Sequence, residues 1–228
     1  MTARRTPTVH GALIVALVAL LPWLVDTLVR PDADQDAGRR AVDGLTVELL
    51  ERLAVAPETD TVGYARDRFG AGWATGPGGC DTRTAVLAAE SITPAVVQGC
   101  TVLVGEWVSV YDATRVTEPT ALDVDHLVPL AEAWTSGADD WNDQQRRSFA
   151  NDLDPARPDA LIAVTAASNR AKGDGDPAEW MPPDRAVWCR YATAWITQKA
   201  AWHLTVDEAE HQALTQALAT CPTGETGP

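Results

Sequence analysis

Positive charge is scarce in this sequence. Among its 228 residues, 18 are lysine or arginine and 32 are aspartate or glutamate, which gives a formal net charge of −14 at pH 7. Only two residues are lysines, Lys172 and Lys199. Proteins that bind nucleic acid non-specifically normally do so through a basic surface. The composition therefore argues against broad electrostatic binding of nucleic acid, and any phosphate would have to be held by a few local groups.

Cysteine is also infrequent, and no two of the four cysteines form a CxxC motif. Structural zinc sites usually contain that motif, so the sequence argues against a zinc site. An even number of cysteines is typical of a disulfide-bonded exported protein. Four cysteines allow three pairings, and closeness along the chain favours Cys80 with Cys100 and Cys189 with Cys221. Four free, buried thiols in a cytosolic protein are the alternative.

The apolar segment near the N-terminus is short for a membrane-spanning helix. It extends over 15 residues from Gly11 to Val25, whereas a spanning helix needs about 20 apolar residues. Because Arg4 and Arg5 precede it, we predict a signal peptide within residues 1–30 and an extracytoplasmic location. No A-x-A-like cleavage site follows, so an uncleaved N-terminal membrane anchor is the alternative.

The rest of the chain is expected to contain one domain. Residues 31–44 are polar and charged and are predicted to be a linker, residues 45–221 a single domain, and residues 222–228 a tail. Hydrophobic residues make up 46% of the sequence, with nine Trp and two Phe, so tryptophan is expected to form much of the core. Four aromatic residues at helical spacing are expected to pack there: Trp188, Tyr191, Trp195 and Trp202.

Hydrophobic periodicity predicts a mixture of strands and helices. The predicted strands are Thr101–Tyr111, Ala121–Val128 and Leu161–Thr165. The predicted helices are Leu45–Leu53, one that starts within Asp81–Thr84 and runs through Ala85 to Glu90 with Asp81 as N-cap, Trp134–Phe149 with a break at Gly137, one that starts at Asn169 with Ser168 as N-cap, Arg185–Trp202, and a last helix opened by a Thr205-x-x-Glu208 capping box.

Two short motifs contain the residues with the clearest chemical meaning. Asp123–Pro129 reads DVDHLVP and lies on the second predicted strand, and Asn169–Asp174 reads NRAKGD and begins a predicted helix. They supply carboxylate and amide oxygens, which are the ligands that Mg²⁺ prefers. They also supply an imidazole, whose ordinary pKa of about 6.5 suits a general base. A hard cation beside a base predicts phosphodiester hydrolysis.

The neighbouring positions of Asp125 and His126 impose a geometrical condition. Successive side chains of a regular strand point to opposite faces, so Asp123 and Asp125 would share one face and His126 would point to the other. Asp125 and His126 can serve one site only if the strand bends, bulges or ends there. We therefore predict such an irregularity at this position.

The order and spacing of these motifs resemble the HNH nucleases, also called the ββα-metal or His-Me finger family. The DVDHLVP and NRAK segments are similar to the HNH domain of RNA-guided CRISPR effector nucleases. Over residues 62–221 the chain more widely resembles exported bacterial HNH proteins related to the C-terminal domain of GmrSD-type restriction endonucleases. The segments that carry this resemblance are Gly79–Arg83, Asp125–Trp134, Phe149–Leu153, Asn169–Asp174 and Glu179–Pro183.

This resemblance implies an α+β fold with a ββα-metal core, a short β-sheet and additional packing helices, stapled by the disulfides. It implies a metal-dependent endonuclease in which His126 is the general base and Asp125 and Asn169 bind one Mg²⁺, or another divalent cation such as Mn²⁺. Asp123 is expected to orient His126 or a water molecule of the metal. Asn151 is expected either to support the site or only to fix the connecting loop.

The resemblance also implies the substrate. Lys172 and Arg170 are expected to contact phosphate, with an exposed helix lysine as the alternative for Lys172. The substrate is expected to be nucleic acid, with DNA favoured over RNA, and no protein partner is implied. Two alternatives are an exported binding module that keeps the fold without turnover, and a phosphodiesterase that acts on a smaller substrate.

Overall fold

The structure is a computed structural model that describes residues 44–222. The predicted signal peptide or anchor, residues 31–43 of the predicted linker and residues 223–228 of the predicted tail lie outside the described residues. The described chain has an α+β fold with small antiparallel sheets, paired as β1–β2, β3–β4 and β5–β6. The strands are β1 (Val96–Gln98), β2 (Thr101–Val104), β3 (Trp107–Val108), β4 (Arg115–Val116), β5 (Leu122–His126) and β6 (Leu161–Thr165).

Most of the helices are short. They are α1 (residues 44–52), α2 (Thr82–Glu90), α3 (Leu130–Thr135), α4 (Asp143–Phe149), α5 (Ala166–Lys172), α6 (Trp188–Trp202) and α7 (Glu208–Leu218). Single 3₁₀ turns occur at Arg66–Phe69, Pro119–Ala121, Ala138–Asp140 and Arg185–Val187. Between residues 44 and 222, no helix has the length and apolar character needed to cross a membrane.

The β5–β6 pair lies between the two hydrophobic clusters of the fold. Its pairing is regular from Leu122 opposite Thr165 to His126 opposite Leu161. Alternate residues of the pair face different clusters: Val124 packs in the smaller cluster and Ile162 in the larger one. Helix α5 follows β6 directly and contacts both strands. The resulting strand–strand–helix order is the one that the motifs predicted.

Two predicted elements are divided in the structure. The predicted strand Thr101–Tyr111 becomes β2 and β3, because the buried Trp107 ring folds back over Gly105. A Cβ atom at Gly105 would lie 2.4 Å from that ring, so the close approach requires glycine. The predicted helix Trp134–Phe149 becomes α3 and α4, which are separated at Gly137, where φ is 123°.

Three helix starts can be compared with their predicted N-caps. Asp81 caps α2 as predicted, since its side chain accepts a hydrogen bond from the Thr84 amide. Helix α5 is capped by Thr165 rather than Ser168, whose own amide donates to the Thr165 hydroxyl. Helix α7 is capped by Asp207 rather than Thr205. Both corrections concern hydrogen-bonding side chains two or three residues apart, between which periodicity does not discriminate.

The predicted disulfides and the aromatic core are confirmed. Cys80 is bonded to Cys100 and Cys189 to Cys221. The first bond joins the start of α2 to the β1–β2 turn, and the second joins the start of α6 to the segment after α7. Of the four aromatic residues predicted to pack together, Tyr191 and Trp195 are buried, and the other two pack partly buried against the same cluster: Trp188 and Trp202.

Candidate active site

His126 is the last residue of β5, and its ring is held from two sides. The ring stacks on Trp73 with centroids 5.0 Å apart and an interplanar angle of 14°. Its Nε2 lies 2.9 Å from the carbonyl oxygen of Ala150. Because a carbonyl oxygen only accepts hydrogen bonds, Nε2 carries the proton in this contact and Nδ1 keeps a free lone pair. No described residue hydrogen-bonds to Nδ1, so this atom is available as a proton acceptor.

The surroundings of His126 favour the neutral imidazole. Burial lowers the pKa of His126 to about 3; the hydrogen bond to Ala150 opposes this shift, and the positive charges of Arg66 and Lys172 add to it. The ordinary pKa of about 6.5 that was expected for His126 from the sequence is therefore corrected, because the ring is buried. At neutral pH the imidazole is therefore uncharged and its Nδ1 lone pair is unprotonated, and the same burial makes the ring a weaker base than a free imidazole.

Asp125 is buried with two hydrogen-bond donors on the same oxygen. The Tyr111 hydroxyl donates to Oδ2 at 2.7 Å, and the Lys172 ammonium lies 2.9 Å from it. Burial raises the pKa of Asp125, and the charge and hydrogen bond of Lys172, together with the Tyr111 hydroxyl, counteract this rise. Oδ1 has no hydrogen-bond partner among residues 44–222. One carboxylate oxygen is therefore fixed by the protein while the other is free to act as a ligand.

Lys172 lies beneath the site, which does not fit the expected phosphate contact. Its side chain is 0% exposed, which also rules out the alternative of an exposed helix lysine. Besides pairing with Asp125, its Nζ donates to the backbone carbonyl of His126 at 3.0 Å. Helix α5 packs on β5, and Lys172 at its last turn is directed into that contact. The side chain holds Asp125 and His126 in place instead of reaching the substrate side.

Asn169 is oriented by Asp123. The Asn169 Nδ2 donates to Asp123 Oδ2 at 3.1 Å. An amide whose nitrogen is engaged in this way turns its oxygen in another direction, where it can serve as a ligand. The expected contact of Asp123 with His126 is not formed, because the two side chains lie on opposite faces of a regular strand. Asp123 instead fixes the side chain that was predicted to bind the metal.

The irregularity predicted at Asp125 and His126 is present as the end of strand β5. The pairing of β5 with β6 shows no bulge at Asp125 or His126, and β5 ends at His126. Because the strand ends there, a single cleft of about 320 Å³ reaches both residues. The cleft is lined by Arg66, Val124, Asp125, His126, Pro129, Leu130, Asn169, Arg170, Gly173 and Asp174. The structure thus brings Asp125, His126, Asn169 and Arg170 to one cleft.

The other predicted site residue, Asn151, connects loops behind the site. Its Oδ1 accepts hydrogen bonds from the Ala74 amide and from the Thr82 hydroxyl, both at 2.8 Å. Its Nδ2 donates to the carbonyl of Arg147 at 2.9 Å. These bonds anchor the segment that includes Trp73 and the segment that includes Ala150. Trp73 and Ala150 are the two residues that contact the His126 ring.

Besides Tyr111, which donates to Asp125, two residues that border the cleft or support its histidine were missed in the sequence. Arg66 is exposed in the 3₁₀ turn Arg66–Phe69 and borders the cleft, and Trp73 supports the His126 ring. Arg66 precedes the first motif by 57 residues and Trp73 precedes it by 50. No local pattern marks them, because only the folded chain brings this segment to the end of β5.

Known proteins share the part of the chain that forms this site. The family described as GmrSD restriction endonucleases, C-terminal domain, matches residues 95–217, which include β5, β6 and α5. A protein from Arthroderma benhamiae, described as an uncharacterized secreted protein, is 44% identical over 173 residues, covering 76% of this chain and 83% of the relative. No solved structure matches the chain significantly. The chain belongs to the family of C-terminal domains of GmrSD restriction endonucleases.

Proposed function

We propose that this protein is an exported, metal-dependent HNH endonuclease that hydrolyses phosphodiester bonds in nucleic acid, with DNA as the favoured substrate. The observation that carries the proposal is the single cleft at the end of β5 that is lined by Asp125, His126 and Asn169. The family relation supports nuclease chemistry. The side chains supply the two functions that such hydrolysis requires, namely ligands for a cation and a base for water.

The oxygens at the cleft fit a hard divalent cation. Asp125 offers Oδ1, since both of its donors meet Oδ2, and Asn169 offers its amide oxygen, since its nitrogen is held by Asp123. Mg²⁺ is commonly bound by one or two protein oxygens, with water and substrate phosphate at its other positions. Mn²⁺ accepts the same oxygen ligands. When bound, the cation would stabilise negative charge on the phosphoryl group and on the leaving oxygen.

His126 is the proposed general base. Its Nδ1 takes a proton from the attacking water, while Nε2 remains bonded to the Ala150 carbonyl. That bond fixes the tautomer, and it stabilises the ring after the ring has gained a positive charge. Stacking on Trp73 limits rotation of the ring. The base is therefore held in one orientation before substrate binds.

Substrate phosphate is held by few cations. Arg66 and Arg170 are exposed at the cleft, whereas Lys172 acts from beneath as a positioning residue for Asp125. With a net charge of −14, binding depends on the metal and on these two arginines. We therefore expect a modest affinity for substrate that weakens as salt is added.

An extracytoplasmic location is part of the proposal. Both pairs of cysteines are oxidised in the structure, and disulfides persist mainly outside the cytoplasm. The relative from Arthroderma benhamiae is described as secreted. The apolar segment at residues 11–25, predicted to be a signal peptide or an anchor, fits the same location.

Nicking of supercoiled plasmid tests the proposed function. With purified protein and Mg²⁺, we expect conversion of supercoiled DNA to open circles, and we expect EDTA to abolish that conversion. A parallel reaction with a single-stranded RNA tests the alternative substrate. If neither nucleic acid is cleaved with Mg²⁺ or Mn²⁺, the protein is a binding module or acts on a smaller phosphodiester, and the proposal is wrong.

A further inference from the structure

A second cleft adjoins the proposed metal cleft on the other side of His126. Its volume is about 440 Å³, within the range of about 300–1,000 Å³ that is typical of small-molecule sites. Three residues border both clefts: Arg66, His126 and Leu130. A ligand in the second cleft would therefore lie next to the side chain of His126.

The walls of this second cleft are suited to a flat, partly polar ring. Trp73, one face of which stacks on His126, provides aromatic surface, and the exposed Arg66 and Asp67 provide charged groups. Phe69 and Leu130 border the cleft with little exposed area. A nucleobase has the matching chemistry, with apolar faces that stack on aromatic side chains and an edge that forms hydrogen bonds. A base within a duplex offers neither, because its faces are stacked and its edge is paired.

The wall of the second cleft that contains Trp73 is held by backbone hydrogen bonds of the next residue, Ala74. The amide of Ala74, which follows Trp73, donates to Asn151 Oδ1 at 2.8 Å, and the carbonyl of Ala74 accepts from the Thr82 amide at 3.0 Å. The segment before it, Gly70–Gly72, borders the cleft with the exposed Ala71 at its centre. A larger side chain at Ala71 would thus reduce the space without disturbing a buried contact.

We propose that the second cleft receives one unpaired nucleobase next to the scissile phosphate, so that the enzyme prefers single-stranded or locally opened nucleic acid to intact duplex. This inference rests on the proposed function. Stacking does not depend on a basic surface, so it provides affinity that an acidic protein cannot obtain by following a phosphate backbone. Supercoiled plasmid remains a substrate because negative supercoiling favours local opening.

Equilibrium binding tests the cleft without relying on turnover. The probe is a fluorescein-labelled eight-residue oligothymidylate, measured by anisotropy in EDTA with the full chain. The reference probe has the same phosphates but carries abasic tetrahydrofuran residues. We expect the oligothymidylate to bind about 10-fold more tightly than the abasic probe, as loss of base stacking predicts. We expect Ala71→Leu to remove most of that difference.

A matched control separates the cleft from the rest of the surface. Ala156 is also an exposed alanine and borders a different cleft of about 270 Å³, so Ala156→Leu should bind both probes as the wild type does. Equal binding of the two probes by the wild type would overturn the inference, as would an unchanged ratio in Ala71→Leu. Base-dependent binding by a protein that cleaves nothing would refute the proposed nuclease activity but support the nucleobase cleft. Nicking without base-dependent binding would support the nuclease activity but refute the nucleobase cleft.

Discussion

Replacing His126 with alanine is expected to lower the rate of Mg²⁺-dependent plasmid nicking by about 10²–10⁴-fold, the range lost when a general base is removed. The reason is that Nε2 of His126 is already engaged by Ala150, which leaves Nδ1 as the ring atom that can accept the proton of water. Initial rates of open-circle formation under multiple-turnover conditions give the measurement. Circular dichroism and the melting temperature show whether loss of the ring against Trp73 has changed the fold.

The matched control for this variant is His211→Ala. His211 lies on α7, is partly exposed, and is not part of the cleft. We expect its nicking rate to equal that of the wild type. If His126→Ala nicks at nearly the wild-type rate while it stays folded, His126 is not the base, and nicking by a contaminating nuclease becomes the explanation.

Replacing Lys172 with methionine is expected to lower the free energy of unfolding by about 3–5 kcal/mol, because it removes one partner of a buried ion pair. Lys172 is 0% exposed, and its ammonium lies 2.9 Å from Asp125 Oδ2. Without that charge, burial favours the protonated form of Asp125, which is a poor ligand for a cation. Urea unfolding with the disulfides intact measures the stability, and the nicking assay should show a loss of activity as well.

Two further variants distinguish this role from a general loss of helix stability. Arg170→Met changes an exposed basic residue of the same helix, so its unfolding free energy should remain within about 0.5 kcal/mol of the wild type. The double variant Asp125→Asn/Lys172→Met removes both charges and should recover part of the lost stability without recovering activity. Additive losses in the double variant would contradict a direct coupling between Asp125 and Lys172.

Much of the fold was predictable because its signals are local. The strand Leu161–Thr165 is a run of apolar and β-branched residues, and its bounds match β6. The disulfide pairs follow from closeness along the chain. The error at the start of α7 has a tertiary cause in part: the Thr205 hydroxyl is directed to Ser136, to whose carbonyl it donates, while Asp207 accepts from the Glu210 amide.

The site was predictable to the extent that it lies in two motifs. Their order placed Asp125, His126 and Asn169 on a strand–strand–helix frame, and all three border one cleft. The position of Lys172 was not predictable, since a lysine after NRA on a helix can face solvent or the strand below. The positions of Arg66 and Trp73 were not predictable either, because no pattern in a single sequence records long-range packing.

Metal binding and proton transfer are assigned to different residues of one cleft, and Mn²⁺ binding followed by electron paramagnetic resonance tests this division most directly. A separate group of carboxylates, Glu58, Asp176 and Asp207, brings ligand oxygens within 4.8 Å of one another. All titrations should therefore be made in a Glu58→Gln background, so that Mn²⁺ binding there does not obscure the result.

We expect one bound Mn²⁺ per chain in that background. His126→Ala should retain this ion while losing nicking, and Asn169→Ala should bind it about 10-fold or more weakly, as expected when a ligand is lost. Unchanged Mn²⁺ affinity in Asn169→Ala, or no bound Mn²⁺ in a protein that nicks DNA, would contradict the assignment of the cation to this cleft.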